Sequence, residues 1–254
     1  MESIYHKLAE LETSGENAAL CTVVNTSGST PRKTGAKMIV LSNRRIFGSV
    51  GGGELEMRVI DQAVDVIEKK KPAIFRHTLL HDHGMCCGGT VEIFIEPVVK
   101  RKKLFVFGAG HIGKALAGFA AALDFAVSII DGRDEVFDHW DSSNITTIQK
   151  KHKIAIKELQ FDPDTFVAVI THNHAYDREI VAQCATLPHA YLGMIGSMRK
   201  VEMAKKSFRA GKLLTEKQME GIDWPMGVNI KVQTPEEIAI SILAKLIDVR
   251  SGEV

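Results

Sequence analysis

No stretch of this sequence approaches the roughly 18 consecutive apolar residues of a membrane span. Its opening, MESIYHKLAELETSGE, lacks the unbroken apolar core of a secretory leader. Cysteine is sparse: Cys21, Cys86, Cys87 and Cys184 are the only four in 254 residues. Four thiols in so long a chain, two of them adjacent, do not make a secreted disulfide framework, so a reducing cytoplasm is the expected setting. Net charge is nearly absent, since 32 Lys and Arg stand against 31 Asp and Glu. A balance of +1 removes any global electrostatic case for nucleic acid or an anionic membrane surface, and any anion site must be local. No fixed-period repeat is present, which removes solenoid folds.

What remains is a chain with 45% hydrophobic and 25% charged residues, the balance of a globular protein. It is long enough for two domains that each bury a core. The boundary falls at the basic run Val98-Val99-Lys100-Arg101-Lys102-Lys103, which follows Pro97 and precedes a new apolar strand. Residues 1–99 then form one domain and residues 100–254 another.

In the first domain the spacing predicts an amphipathic helix with Ile4, Leu8 and Leu11 on one face. A strand AALCTVVNT, the loop GSTPRKTG, and a hairpin-like pair AKMIVLS and RIFGSV turning at Asn43 come next. Gly51-Gly52-Gly53 runs into the helical pattern ELEMRVIDQAVDVIEKKK, and strands IFRHTLL and TVEIFIEP close an α+β unit. The loop with Arg32 and the glycine triplet are both of a kind that lets a bulky anion approach the main chain, although Glu54 at the helix start opposes a phosphate. Each is equally well a plain hairpin connection.

The second domain alternates short apolar strands with helices, the pattern of a doubly wound parallel sheet. Gly108-Ala109-Gly110-His111-Ile112-Gly113 follows the strand LFVF and opens a helix, and Asp131 ends the next strand about 20 residues later. The first glycine permits the turn, the second lets a pyrophosphate reach the backbone, and the third lets helix and sheet pack closely. The helix N-terminus supplies N–H donors. Asp131 can accept from a ribose diol, and Arg133 can pair with an extra phosphate, so NAD and NADP are both open as ligands. The motif requires no hydride transfer.

Two further segments end strands where such a fold faces its ligand. In Thr171-His172-Asn173-His174-Ala175-Tyr176-Asp177, His172, His174 and Asp177 can bind a divalent cation, contact a ligand without metal, or cap a helix through Asp177. In Gly193-Met194-Ile195-Gly196-Ser197-Met198-Arg199-Lys200, Gly196, Ser197 and Arg199 form either a second anion cradle or an ordinary helix start. No metal is assigned to either. The chain ends in PEEIAISILAKLIDVR, with Pro235 at a first helical position.

The stretch HDHGMCCGGTVEIFIEP adds the chemistry of sulfur. Neighbouring residues in extended chain point to opposite sides, so Cys86 and Cys87 are poorly placed to grip one ion together. One cysteine exposed on the turn, its thiolate favoured by N–H groups or a histidine cation, fits sulfur transfer or contact with a soft metal centre. Inert packing of both is the competing reading.

With GSTPRKTGAKMIV, GSVGGGELE, GMCCGGTVEIFIEP, VFGAGHIGKALA, DGRDE, THNHAYD, YLGMIGSMRK and TPEEIAISILA in that order, nearly the whole chain resembles the xanthine dehydrogenase accessory factor family of the XdhC/CoxI type. The resemblance implies a C-terminal Rossmann-like doubly wound sheet preceded by a smaller α+β XdhC/CoxI-type domain. It implies a cytoplasmic chaperone that binds molybdenum cofactor (molybdopterin) as cargo and supports exchange of an oxo for a sulfido ligand. The client is then a molybdenum hydroxylase such as xanthine dehydrogenase, with a cysteine desulfurase as a further partner and a homodimer as the assembly. The family's motif cysteine falls on Cys87, with Cys86 at the variable position. The cofactor-binding set is then Gly108, Gly110, His111, Gly113, Asp131, Arg133, His172, His174, Gly196, Ser197, Arg199, Gly51, Gly52, Gly53 and Arg32. The chain departs from the family's PIGLDIG at Pro225-Met226-Gly227-Val228-Asn229-Ile230-Lys231, where Asn229 loses a charge and Lys231 replaces a residue that takes positive φ cheaply. The alternatives are an NAD(P)-dependent oxidoreductase built on the glycine loop and a metal hydrolase built on His172, His174 and Asp177.

Overall fold

The structure is a computed structural model that describes residues 3–14, 16–79, 88–98 and 100–252. It divides into two units, Met1–Arg101 and Lys102–Val254.

The first unit is a five-stranded antiparallel sheet with helices on its faces. Helix α1 (Ile4–Ser14) leads into β1 (Ala18–Ser27), β2 (Lys37–Leu41) and β3 (Ile46–Gly48). Helix α2 (Gly53–Lys69), β4 (Ala73–Thr78) and β5 (Thr90–Pro97) complete it, and the sheet order is β3-β2-β1-β5-β4. The β2–β3 hairpin turns through Asn43, whose side chain accepts from the Arg45 N–H, and Arg44, which takes φ 69°. The pleat of β2 sorts its side chains onto two faces. Met38 and Val40 join Leu55, Val59, Ala63 and Val66 of α2 in one core, while Ile39 and Leu41 pack with Leu11 of α1 in another. The helical spacing of those four α2 residues is what turns a charged sequence into a core helix.

The second unit is a five-stranded parallel sheet. Its elements are β6 (Lys103–Phe107), α3 (His111–Ala121), β7 (Ala126–Ile130), β8 (Thr146–Ile148), α4 (His152–Glu158), β9 (Phe166–Val169), α5 (His174–Cys184), β10 (Tyr191–Met194), α6 (Met198–Ala210), α7 (Glu216–Glu220) and α8 (Pro235–Ser251). The order β10-β9-β6-β7-β8 reads 5-4-1-2-3 within the unit, so the chain reverses direction across the sheet between β6 and β9. That order is the doubly wound nucleotide-binding arrangement, with its ligand crevice at the switch point. Leu104 and Val106 of β6 face α3 and α8, and Phe105 and Phe107 face α4, α5 and α6. A strand buried on both sides needs an unbroken apolar run, which is what the sequence supplies here.

Helix α8 starts as its sequence demands. Thr234 caps it in a reciprocal box with Glu237, and Pro235 occupies the first turn. Upstream, Gly227 has φ 104°, and its N–H donates to Asp223 at 3.0 Å. Neither Asn229 nor Lys231 takes positive φ, so the departure at those positions introduces no backbone strain. No helix among the described residues is long and apolar enough to cross a membrane.

Candidate functional site

The glycine loop connects β6 to α3, and its three glycines meet three different surroundings. Gly108 takes φ 116°, and a β-carbon there would lie 2.2 Å from the Ile170 carbonyl oxygen. Gly113 packs so tightly that a β-carbon would lie 1.9 Å from the Gly108 carbonyl oxygen. At Gly110 a β-carbon would meet nothing within 4 Å, and the residue is extended at φ −75°, ψ −175°. Nothing in this unit's own packing demands a glycine there. The first turn of α3 has no side-chain cap, so its N–H donors face outward from an uncluttered loop.

Asp131 follows β7 and closes the base of the same loop. Its Oδ2 accepts from the Ala109 N–H at 2.9 Å and from Arg133 Nη2 at 2.7 Å. Its Oδ1 accepts from the Arg133 N–H at 3.1 Å and Nε at 3.0 Å. Burial pushes this carboxyl up, but the bonds from Arg133 and Ala109 outweigh burial and hold it below the usual carboxylate range. A carboxylate offers about four acceptor positions, and all four are taken. The ribose-accepting role expected of Asp131 thus meets a carboxylate already engaged by its own loop.

Beside this pair lies a cavity of about 500 Å³ at the C-terminal ends of β6, β7 and β9. Gly108, Asp131, Arg133 and His172 of the predicted set line it. Gly110, His111, Gly113, His174, Gly196, Ser197 and Arg199 do not. The rest of its wall comes from Lys150 to Ile154, Thr171, Tyr176, Glu179 and their neighbours. These carry no recognised motif. The sequence signal for them is the run Lys150-Lys151-His152-Lys153, which the fold places directly after β8. Glu179 accepts from His152 and Lys153, each at 3.0 Å, and those bonds draw its pKa below normal. Tyr176 lies against His152, with ring centroids 5.1 Å apart, and meets His172 edge-on at 5.8 Å.

The Thr171–Asp177 segment is built differently from a metal site. Asp177 is 1% exposed and accepts from the Thr171 N–H at 3.0 Å, Thr171 Oγ1 at 2.7 Å and His174 Nδ1 at 3.0 Å. Burial raises its pKa, and the bonds from Thr171 and His174 only partly counter it. The helix cap expected at Asp177 belongs instead to Asn173, whose Oδ1 accepts from the Ala175 N–H at 2.9 Å. The shift arises because α5 begins one turn earlier than its apolar periodicity indicates. His172 and His174 are both exposed. Among the described residues no three of His, Cys, Asp and Glu converge as a metal-binding group.

At the start of α6, Ser197 occupies the cap position without a side-chain bond to the helix, and Arg199 is exposed. In the first unit, Gly51, Gly52 and Gly53 all take positive φ. The carboxylate at that loop is Glu56 rather than Glu54. Glu56 Oε2 accepts from Ser49 Oγ at 2.6 Å and from the Gly52 N–H at 3.2 Å. The cradle expected to receive an external anion is occupied by a carboxylate of its own helix. Arg32 is exposed on the neighbouring loop. Cys86 and Cys87 lie outside the described residues. Cys21 and Cys184 are fully buried, and burial pushes both thiols up to about 12.

Comparison with known proteins decides the family. Residues 104–246 match the XdhC Rossmann domain, and residues 11–78 match the XdhC and CoxI family. The chain belongs to the XdhC and CoxI family. It is similar to the uncharacterised protein YqeB of Escherichia coli K12, at 32% identity over 98% of this chain and 47% of that protein. A Bacillus subtilis protein, described as a probable xanthine dehydrogenase component, is 29% identical over 63% of this chain and 47% of its own length. The chain thus spans about half the length of these two relatives. The molybdenum cofactor insertion chaperone PaoD of Escherichia coli is 22% identical over 93% of this chain and 85% of that protein. A crystal structure described as a xanthine dehydrogenase from Bacillus halodurans superposes with TM-score 0.55 at 20% identity, covering 100% of this chain and 97% of that one. At that identity the match speaks for the fold.

Proposed function

We propose that this XdhC-family protein is an accessory factor that binds molybdenum cofactor and supports its sulfuration and insertion into a molybdenum hydroxylase such as xanthine dehydrogenase. The observation that most supports the reading is the membership of both segments in one family, whose curated relatives include a molybdenum cofactor insertion chaperone. The cargo is phosphorylated, and the glycine loop fits such a group. Gly110 leaves open space, and the first turn of α3 presents uncapped N–H donors. Gly108, Gly110, His111 and Gly113 are assigned to the phosphate. The structural glycines Gly108 and Gly113 shape the loop, and Gly110 admits the ligand.

Cys87 is assigned to the molybdenum and sulfur chemistry, because a thiolate is a soft ligand and the family's motif cysteine falls there. Cys21 and Cys184 are unsuited to that role, since burial keeps them as thiols. Sulfur would come from a cysteine desulfurase. The setting proposed is the cytoplasm and the assembly a homodimer, which light scattering on the purified chain checks. An NAD(P)-dependent oxidoreductase is the second reading, supported by the same loop and sheet order.

The test is purification from a molybdenum-replete host, mass spectrometry of the bound small molecules, and activation of a sulfur-free client hydroxylase. The expected result is a bound molybdopterin species, client activation by wild type, and loss of activation with Cys87→Ser. A Cys87→Ser protein that activates fully overturns the thiol assignment. A bound nicotinamide cofactor with no molybdopterin overturns the main reading in favour of the second.

A further inference from the structure

The cavity beside the glycine loop is lined by two cations, Arg133 and Lys151, whose donors the fold only partly uses. Arg133 commits its Nε and Nη2 to Asp131, and a guanidinium has five N–H donors. Its remaining donors have no partner among the described residues. Lys150 is paired with Glu158 and Lys153 with Glu179, but Lys151 has no partner among the described residues. The two loops that carry Arg133 and Lys151 touch: a β-carbon on Gly132 would lie 3.2 Å from the Lys151 Cα and N. Gln149 Nε2 also donates to the Arg133 carbonyl at 3.4 Å, which ties the loops after β7 and β8 together. Lys151 and the outer donors of the Asp131-paired Arg133, carried on abutting loops, line one cavity.

The opposite requirement is equally plain. In a doubly wound fold the acidic residue after the second strand reads a ribose through its free diol. Here that carboxylate is filled by Arg133 and Ala109 and has no acceptor position to offer a diol. The wall also includes Tyr176 (41% exposed) and Ile154 (49% exposed), which offer an aromatic ring and an aliphatic group to a base. About 500 Å³ is ample for a nucleoside with one phosphate.

We propose that this cavity is a ribonucleotide site that recognises a phosphomonoester on the ribose, through Arg133 and Lys151, in place of a free ribose diol. Arg133 is the specificity residue: it occupies the acid that would read the diol and presents its outer donors to the phosphate. The inference shares Gly108 with the reading above but does not rest on molybdenum, and its probes contain none.

The experiment is calorimetric titration of the full chain with 2′-AMP, adenosine and inorganic phosphate at low salt. A charge-assisted bond to phosphate is expected to make 2′-AMP bind about tenfold or more tightly than adenosine. It should also exceed inorganic phosphate, which cannot use the aromatic wall. Arg133→Ala should weaken 2′-AMP about tenfold and strengthen adenosine, because Asp131 is released to the diol. Lys151→Ala should weaken 2′-AMP and leave adenosine unchanged, and it keeps the proposal testable if Arg133→Ala fails to fold. Equal affinity for 2′-AMP and adenosine overturns the proposal, as does phosphate binding as tightly as 2′-AMP or no binding of any probe. Any of these results with normal client activation sinks this inference alone; failed activation with intact 2′-AMP binding sinks only the molybdenum reading.

Discussion

Gly113 packs against Gly108 with so little space that a β-carbon on the first would sit 1.9 Å from the carbonyl oxygen of the second. Gly110, between them in sequence, has open space on its side-chain face. The three glycines of one loop therefore meet different surroundings: packing fixes two of them and leaves the third unconstrained. Gly108→Ala, through positive-φ strain and contact with main chain, and Gly113→Ala, through contact with main chain alone, should each destabilise the protein by about 3 kcal/mol or more. Gly110→Ala should change stability by less than about 1 kcal/mol, because its backbone suits alanine. It should still weaken the phosphorylated ligand. Thermal unfolding and ligand titration on the three variants separate these outcomes, and a Gly110→Ala protein that binds as wild type removes the ligand role.

Stability at Asp131 should depend on pH in one direction. Burial raises this carboxyl and the bonds from Arg133 and from the Ala109 and Arg133 N–H groups lower it further than burial raises it. The stabilisation is then present above the unfolded carboxylate pKa of about 3.9 and is lost as pH falls through the lower folded value. Arg133→Ala leaves burial less opposed, so the stability gap between wild type and variant should be widest near neutrality and narrow under acid. Urea unfolding across that range measures it, and a gap independent of pH contradicts the assignment.

The thiols of Cys21 and Cys184 should resist alkylation in the native protein. Each is buried and pushed up to about 12, so the reactive thiolate is scarce at neutral pH. Iodoacetamide labelling followed by peptide mass spectrometry should find both unmodified until denaturant is added. Labelling of either at the rate of a free thiol would show that its unit opens readily.

Glu56 should hold the glycine triplet in place. Its carboxylate joins Ser49 Oγ and the Gly52 N–H, so Glu56→Ala should cost about 1 kcal/mol, the usual net worth of such bonds. Glu56→Gln, which keeps one acceptor oxygen, should lose less. Denaturant titration of the two variants compares them, and equal losses would mean that the negative charge, not the side chain's bulk or a single acceptor oxygen, matters.

Much of the fold is written in local pattern. The apolar runs of β6 and β9, the glycine loop and the Thr234-Pro235 start of α8 each follow from residues close in sequence, because strand burial, turn geometry and helix capping are short-range demands. Less legible are β8, a three-residue strand Thr-Thr-Ile, and α4, whose lysine-rich sequence buries only Ala155 and Ile156. Elements so short leave no period to read. The sequence by itself determined that a glycine turn opens a parallel αβ unit. It did not reveal that Gly108 and Gly113 serve packing while Gly110 faces open space. The strand order, the bond from the Ala109 N–H that completes the saturation of Asp131, and the meeting of Gly132 with Lys151 were decided by tertiary structure alone, because each joins groups whose separation along the chain carries no signal of contact.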